Sequence, residues 1–300
     1  MSFRYMNPGL AELLDVSGGT NVIGKQYNPY GETAFWQSSS SPAVILPEVP
    51  TEIYIHVTLY LDKPQGDYPK CQFLPTDNTT GVSFQYSSYS GWSCNAIFNN
   101  TQDGSVSETD AHLEEGKLHE VIVYLKGDSN GIIAVSINGS EVLRRTGYVP
   151  LSQNVKIKCS SATFLLSNLI ISDTPIDAKE HVIALPVKAT ETDMTANADG
   201  SYTADKAGQY LLQTIDADAL LTKYGSETKI TGLEFCGNPA SCTGSELEKI
   251  VGIQKAEDGT VTEWGSTTLS MTPAVVRLAN TTALTLEELG NCQIGVKAGV

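Results

Sequence analysis

"LKGDSNGIIAVSINGSEVLRR", residues 125–145, holds two short apolar runs separated by turn signals. Ser129-Asn130-Gly131 leads into Ile132, Ile133, Ala134 and Val135. Asn138-Gly139-Ser140 leads into Val142 and Leu143. One reading is a ligand loop, because Asp128 opens "DSNG" in the manner of a calcium site. Such a loop continues with acids at alternate positions and closes on a glutamate, and that series does not follow Asp128. Asn-Gly between alternating apolar runs is instead a strong hairpin signal. The stretch therefore reads as two hairpin corners, a turn of two to four residues at Asn130-Gly131 and another at Asn138-Gly139. Asp128 becomes a turn residue that bonds its own backbone.

The same period of two extends outward. "EIYIHVTLYL" alternates Ile53, Ile55, Val57 and Leu59 against Tyr54, His56, Thr58 and Tyr60. "LHEVIVYLKG" sets Val121, Val123 and Leu125 on one face. "GVSFQYSSYSG", "SCNAIFNN", "NVKIKC" and "ATFLLSNLIIS" complete a set of strands with no helix between them. That pattern implies an all-β fold, a two-sheet sandwich or jelly roll, over residues 33–176.

Residues 1–32 read as an irregular N-terminal arm with turns at Asn7-Pro8-Gly9 and Asn28-Pro29, and a short helix around Leu10 to Leu14. The alternation breaks at Pro175, and residues 182–300 read as a second, smaller β-rich domain. Its strands are expected near Tyr210 to Thr214, Lys229 to Cys236, Lys249 to Lys255 and Val261 to Ser270, with a hairpin turn in "EDGT" at 257–260. "DADALLTKYG" reads as a short helix capped by Asp216 or Asp218 and ended by Gly225, and "TLEELG" as another capped by Thr285.

Three segments, "HEVIVYLKG", "NGIIAVSING" and "LSNLIISDTPI", together resemble the concanavalin A-like, laminin-G-like jelly roll. The resemblance covers about half the chain. It implies a fold and carries no catalytic set. Many relatives bind glycans or proteins at the sheet face or rim, some through calcium, whose ligands are not evident here. "YGSETKITGLEFCGNPAS", "DGTVTEWGSTTLS" and "TLEELGNCQIGVKAG" are similar in strand-and-glycine pattern to C-terminal modules of bacteriophage virion proteins.

Composition narrows the function. The net charge of −15 disfavours nucleic acid as a partner. No stretch approaches the roughly 20 apolar residues that span a bilayer, and no apolar signal region opens the chain. Six cysteines, none in a C-x-x-C pair, read as buried thiols, with Cys236 and Cys242 the one pair that could be bridged. His56, His112, His119 and His181 are isolated in sequence, and His56 and His119 are read on the polar faces of strands. No cofactor or metal is expected. Glu191-Thr192-Asp193, read as a polar loop, lacks the third acid of the sandwich-fold glucanases, and Glu114-Glu115 and Glu287-Glu288 read as solvated faces. No nucleophile elbow, P-loop or dinucleotide fingerprint is present.

Two function classes lead, with a cryptic glycan hydrolase, for which the sequence offers no acidic pair to choose first, as a third. The first is a non-enzymatic structural or adhesion protein of a phage-like particle, made in a host cytoplasm. It would contact other virion proteins, form a homo-oligomer and touch a host-surface glycan. The second is a lectin-like carbohydrate-binding module at a cell surface. For either, Tyr86, Tyr89 and Trp92 in "FQYSSYSGW" are the expected sugar-stacking residues, because an aromatic face matches the C–H face of a sugar. Trp36 and Trp264 are read as core or interface.

Overall fold

The computed structural model describes residues 4–7, 22–23, 33–34, 43–46, 48–64, 68–75, 79–159, 163–242, 247–272 and 274–300. The chain divides into two units, Met1–Ile183 and Ala184–Val300.

The first unit contains β1 (Arg4–Asn7), β2 (Val22–Ile23), β3 (Thr33–Ala34), β4 (Ala43–Ile45), β5 (Glu52–Leu61), β6 (Lys70–Leu74) and β7 (Gly81–Ser87). It continues with β8 (Gly91–Phe98), β9 (Thr101–Ser107), α1 (Glu108–Ala111), β10 (Leu118–Lys126), β11 (Asp128–Ile137), β12 (Ser140–Val149), β13 (Asn154–Cys159) and β14 (Phe164–Ser172). Two six-stranded antiparallel sheets result. Sheet I runs β1-β14-β5-β10-β11-β12, and sheet II runs β4-β13-β6-β7-β8-β9. This is a jelly-roll sandwich, the class expected from the strand alternation.

The inner faces follow from the period of two. Ile53, Ile55, Val57, Leu59 and Leu61 of β5 are all 0% exposed. They share one core with Val121, Val123 and Leu125 of β10, Phe73 of β6, and Val82 and Phe84 of β7. Full burial of such a side chain contributes about 1.5–3 kcal/mol. Cys71 and Cys159 stand opposite each other between β6 and β13, both buried free thiols, with their sulfurs 2.9 Å apart. Burial pushes the Cys71 thiol well up.

Several sequence expectations change in the structure. The β10–β11 corner spans residues 127–131, since Lys126 faces Ile132. Asn130-Gly131 therefore closes a longer loop instead of forming a two-to-four-residue turn, because β11 pairs with β12 as far out as Asp128 opposite Val149. The Asp128 carboxylate accepts from Ser129 N and Ser129 Oγ, as a turn residue should. Asn138 and Gly139 both have positive φ, 51° and 82°, the primed turn that matches strand twist.

His119 is not on the polar face. It lies opposite Leu59, on the inner side, 2% exposed, and its Nε2 bonds the backbone of Glu114. Burial holds its pKa below the ordinary imidazole value. His56 is on the outer side of β5 yet 0% exposed. The cover comes from residues 180–182, which Asn168 binds to sheet I. Asn168 Oδ1 accepts from Val182 N, and its Nδ2 lies 3.3 Å from Glu180 O and 3.1 Å from His181 Nδ1. Asn168 can point this way because it interrupts the β14 register in the left-handed conformation, φ 56°.

Of the expected N-terminal arm, Arg4–Asn7 is an edge strand of sheet I rather than irregular chain. The expected helix at Leu10 to Leu14 and Trp36 lie outside the described residues.

The second unit holds β15 (Val187–Thr192), β16 (Thr195–Ala196), β17 (Tyr202–Thr203), β18 (Tyr210–Ile215), α2 (Ala217–Tyr224), β19 (Lys229–Ala240) and β20 (Lys249–Lys255). β21 (Val261–Thr268), β22 (Ala274–Thr285), α3 (Leu286–Gly290) and β23 (Gln293–Gly299) complete it. A five-stranded sheet runs β15-β18-β23-β20-β21, beside the paired strands β19 and β22. Asp216 caps α2 through Ala219 N, and Thr285 and Glu288 form a reciprocal capping box on α3. Trp264 packs against the cluster of Val276, Leu278 and Val296. Glu191 is in β15, not a loop. Its carboxylate accepts from Gln293, Tyr210 and Lys255, which lower its pKa to about 2. Cys242 is a free thiol 3.4 Å from Leu269 O, and the Cys236 side chain lies outside the described residues.

Candidate functional site on the outer face of sheet II

The strands of sheet II alternate, with one register shift between β8 and β9. Cys71, Phe73, Val82, Phe84, Cys94, Ala96, Val155, Ile157 and Cys159 enter the core. Their neighbours in sequence must face outward. Those neighbours are the polar Lys70, Gln72, Ser83, Gln85, Ser93, Asn95, Asn154, Lys156 and Lys158, together with Leu74, Gly81 and Ile97, of which Leu74 and Ile97 are buried.

Register aligns these residues into two rows. Lys158 faces Gln72, Gln72 faces Ser83, Ser83 faces Asn95, and Asn95 faces Ser105. This first row crosses β13, β6, β7, β8 and β9. In the second row, Lys70 faces Gln85, Gln85 faces Ser93, and Ser93 faces Ser107. Neither row contains a carboxylate or an aromatic ring. Lys156 extends the same face one position along β13, opposite Leu74.

The middle of the first row is unusual. Ser83 is 1% and Asn95 0% exposed, although both stand on the outer side. Asn95 Nδ2 donates to Ser83 O and to Ser93 Oγ, both at 3.3 Å. Its Oδ1 and the Ser83 Oγ have no hydrogen-bond partner. Above them the side chains of Gln85 and Gln102 meet, Nε2 to Oε1, at 3.0 Å. Gln85 sits opposite Ser93 and Gln102 opposite Ile97, so their bond passes over the residue between, Asn95. Leaving a buried polar atom without a partner costs about 1–3 kcal/mol. Here two adjacent ones lie closed under a pair of side-chain amides.

The expected aromatics do not form a joint platform. Trp92 is 3% exposed, with its ring edge-on to Tyr86 at 5.1 Å and to Phe164 at 5.4 Å. Tyr86 is half-buried against the same core. Only Tyr89, in the turn after β7, is open to solvent, at 90% exposure. The parity that brings Tyr86 and Trp92 inward places Gln85 and Ser93 outward. The signal for the missed residues was thus present as the polar half of each alternation. Their alignment into rows depends on strand register, which the sequence does not print.

A second polar cluster lies on the outer face of sheet I. Glu120 Oε2 is 3.0 Å from His56 Nε2 and accepts from Thr58 Oγ1 at 2.9 Å. Asn168 Nδ2 lies 3.2 Å from Thr58 Oγ1. With residues 180–182 bonded over it, this cluster is a fastening and not an open site. Among the described residues no group of three or more His, Cys, Asp or Glu side chains is arranged to hold a metal ion. No described helix is long and apolar enough to cross a membrane.

No family model and no curated protein matches the chain. Solved structures do. An endo-β-1,4-glucuronan lyase from the fungus Trichoderma reesei is similar at 12% identity and TM-score 0.37, over 56% of this chain and 92% of that one. A carbohydrate-binding module from Bacillus subtilis, CBM66, is similar at 9% identity and TM-score 0.35, over 51% of this chain and 90% of that one. Sheep galectin-11 in complex with glycerol is similar at 12% identity and TM-score 0.30, over 44% and 95% respectively. The likenesses are remote, and they lend nothing to the virion reading.

Proposed function

We propose that the first unit is a lectin-like carbohydrate-binding module and that the outer face of sheet II is its binding face. One observation carries the reading: Ser83 Oγ and Asn95 Oδ1, buried and without a partner among the described residues, lie at the centre of a polar row that crosses five strands, beneath the Gln85–Gln102 amide pair, which a ligand would have to part. A sugar hydroxyl donates and accepts at once, so it can satisfy a side-chain oxygen while receiving a bond from a neighbour. Amides and hydroxyls held on strands are also more exactingly placed than the same groups on loops. Among the described residues the two rows hold no pair of carboxylates of the kind glycoside hydrolysis uses. Display of the module on a particle or cell surface belongs to the same proposal.

The test is calorimetry of the full chain against a panel of oligosaccharides found by glycan array. Ser83→Ala with Asn95→Ala should weaken binding at least tenfold, and the exposed Gln102→Ala should alter it without unfolding the protein. Tyr89→Ala should leave it unchanged. Silence across the array overturns the reading. Release of shortened saccharide products would replace binding with catalysis.

A further inference from the structure

We infer that the saccharide this face takes is anionic, and that it lies across the strands with its charged units over β13 and β6. This rests on the binding face proposed above. The two rows are polarised. Lys158 begins one and Lys70 the other, with Lys156 beside them on β13, whereas the opposite ends are Ser105 and Ser107. The chain as a whole has 34 Asp and Glu against 19 Lys and Arg. Neither row holds an acid, and carboxylates stand past the far end, where Asp110 accepts from Ser107 Oγ and Glu108 accepts from Trp92 N. Lysine suits this task because its ammonium is a point charge on a flexible stem with three rotatable donors. It can follow carboxylate or sulfate groups whose spacing varies along a polysaccharide. From β13 to β9 the first row spans four inter-strand steps, about 19 Å, enough for a short oligosaccharide laid along it.

A nucleic acid would also seek lysines. Single strands, however, are held by aromatic rings on which bases stack, and the rows contain none. The net charge of −15 further opposes a polyanion of that charge density. Hydroxyl-seeking groups at the centre and cations at one end describe an acidic sugar better than a phosphodiester.

Salt is a poor readout, since it would screen the repulsion of the whole chain together with the attraction of the lysines. The experiment instead compares ligands of equal length. The full chain is titrated with tetragalacturonate, neutral galactotetraose and a tetranucleotide. The acidic tetrasaccharide should bind at least tenfold tighter than the neutral one. Lys156→Gln with Lys158→Gln should remove most of that preference while the neutral affinity holds, and Ser83→Ala with Asn95→Ala should weaken both. Equal affinity for the two sugars, with the lysine variant silent, overturns the anionic inference and leaves the glycan site standing. Absence of saccharide binding overturns both, as does preference for the tetranucleotide.

Discussion

Glu120 and His56 meet across neighbouring strands of sheet I, carboxylate oxygen to ring nitrogen at 3.0 Å, with the imidazole wholly buried. The same oxygen accepts from Thr58. Removing it strands two buried groups at once. Glu120→Ala should cost the first unit about 1–3 kcal/mol, because an unsatisfied buried group keeps its full desolvation penalty. Glu120→Gln, which retains an oxygen, should cost less. Urea midpoints of the two variants decide the order.

Asn168 combines a left-handed backbone with a side chain that binds Val182 N and Glu180 O. Two substitutions separate these roles. Asn168→Gly loses the bonds and tolerates the backbone, whereas Asn168→Ala loses the bonds and adds a left-handed penalty of about 1–2 kcal/mol. Alanine should therefore be the more damaging, and proteolysis near residues 177–183 should quicken in both.

Trp92 and Tyr89 should behave oppositely. Trp92→Ala empties core volume against Phe164 and should cost about 3–5 kcal/mol. Tyr89→Ala touches an exposed turn and should stay within about 0.5 kcal/mol. Thermal melts of both distinguish packing from a role confined to ligand contact.

Gly139 and Gly295 give a further contrast. A Cβ at Gly139 would meet nothing within 4 Å, so alanine there pays only for φ 82°. A Cβ at Gly295 would lie 1.9 Å from the Leu211 carbonyl oxygen. Gly139→Ala should cost about 1–2 kcal/mol, and Gly295→Ala should disrupt the pairing of β18 with β23. Amide exchange of those two strands is the measurement.

Acid should act on the two units through different groups. His119 is held neutral by burial, so the unfolded chain takes up a proton first as pH falls below the ordinary 6.5. The first unit should lose stability from there downward, until the folded state also binds that proton. Glu191 has the opposite chemistry and a later window. Its depressed carboxyl contributes stability above the ordinary 4.5, lost as pH falls toward about 2. Glu191→Gln should flatten that second stage in a titration of melting temperature, and His119→Gln the first.

The sequence made the sandwich legible because buried strands announce themselves by alternation, as Ile53 to Leu61 do on β5. The caps at Asp216 and Thr285 were equally open, since each needs only residues three or four apart. The binding face was not. Lys158, Gln72, Ser83, Asn95 and Ser105 come from five separate strands, and only register places them in line. The aromatics of "FQYSSYSGW" drew attention because sugars favour rings, yet two of the three continue the inward parity of Val82 and Phe84. His119 misled for a similar reason: a polar side chain at an inward position, its Nε2 held by the backbone of Glu114, breaks the equation of polar with outward.

The pairing of β1 with β14 sets an order on the making of the protein. Arg4 finds its partner only when Ser172 has been synthesised, since the two strands come from opposite ends of the unit. Contacts so distant in sequence form late. Until then β14, whose nine residues are all buried in the finished sandwich, offers a bare backbone edge lined with apolar side chains. Such an edge recruits other strands readily. Of the described strands of this unit, β1 thus waits longest for its partner, and their pairing closes an edge otherwise open to joining a neighbour.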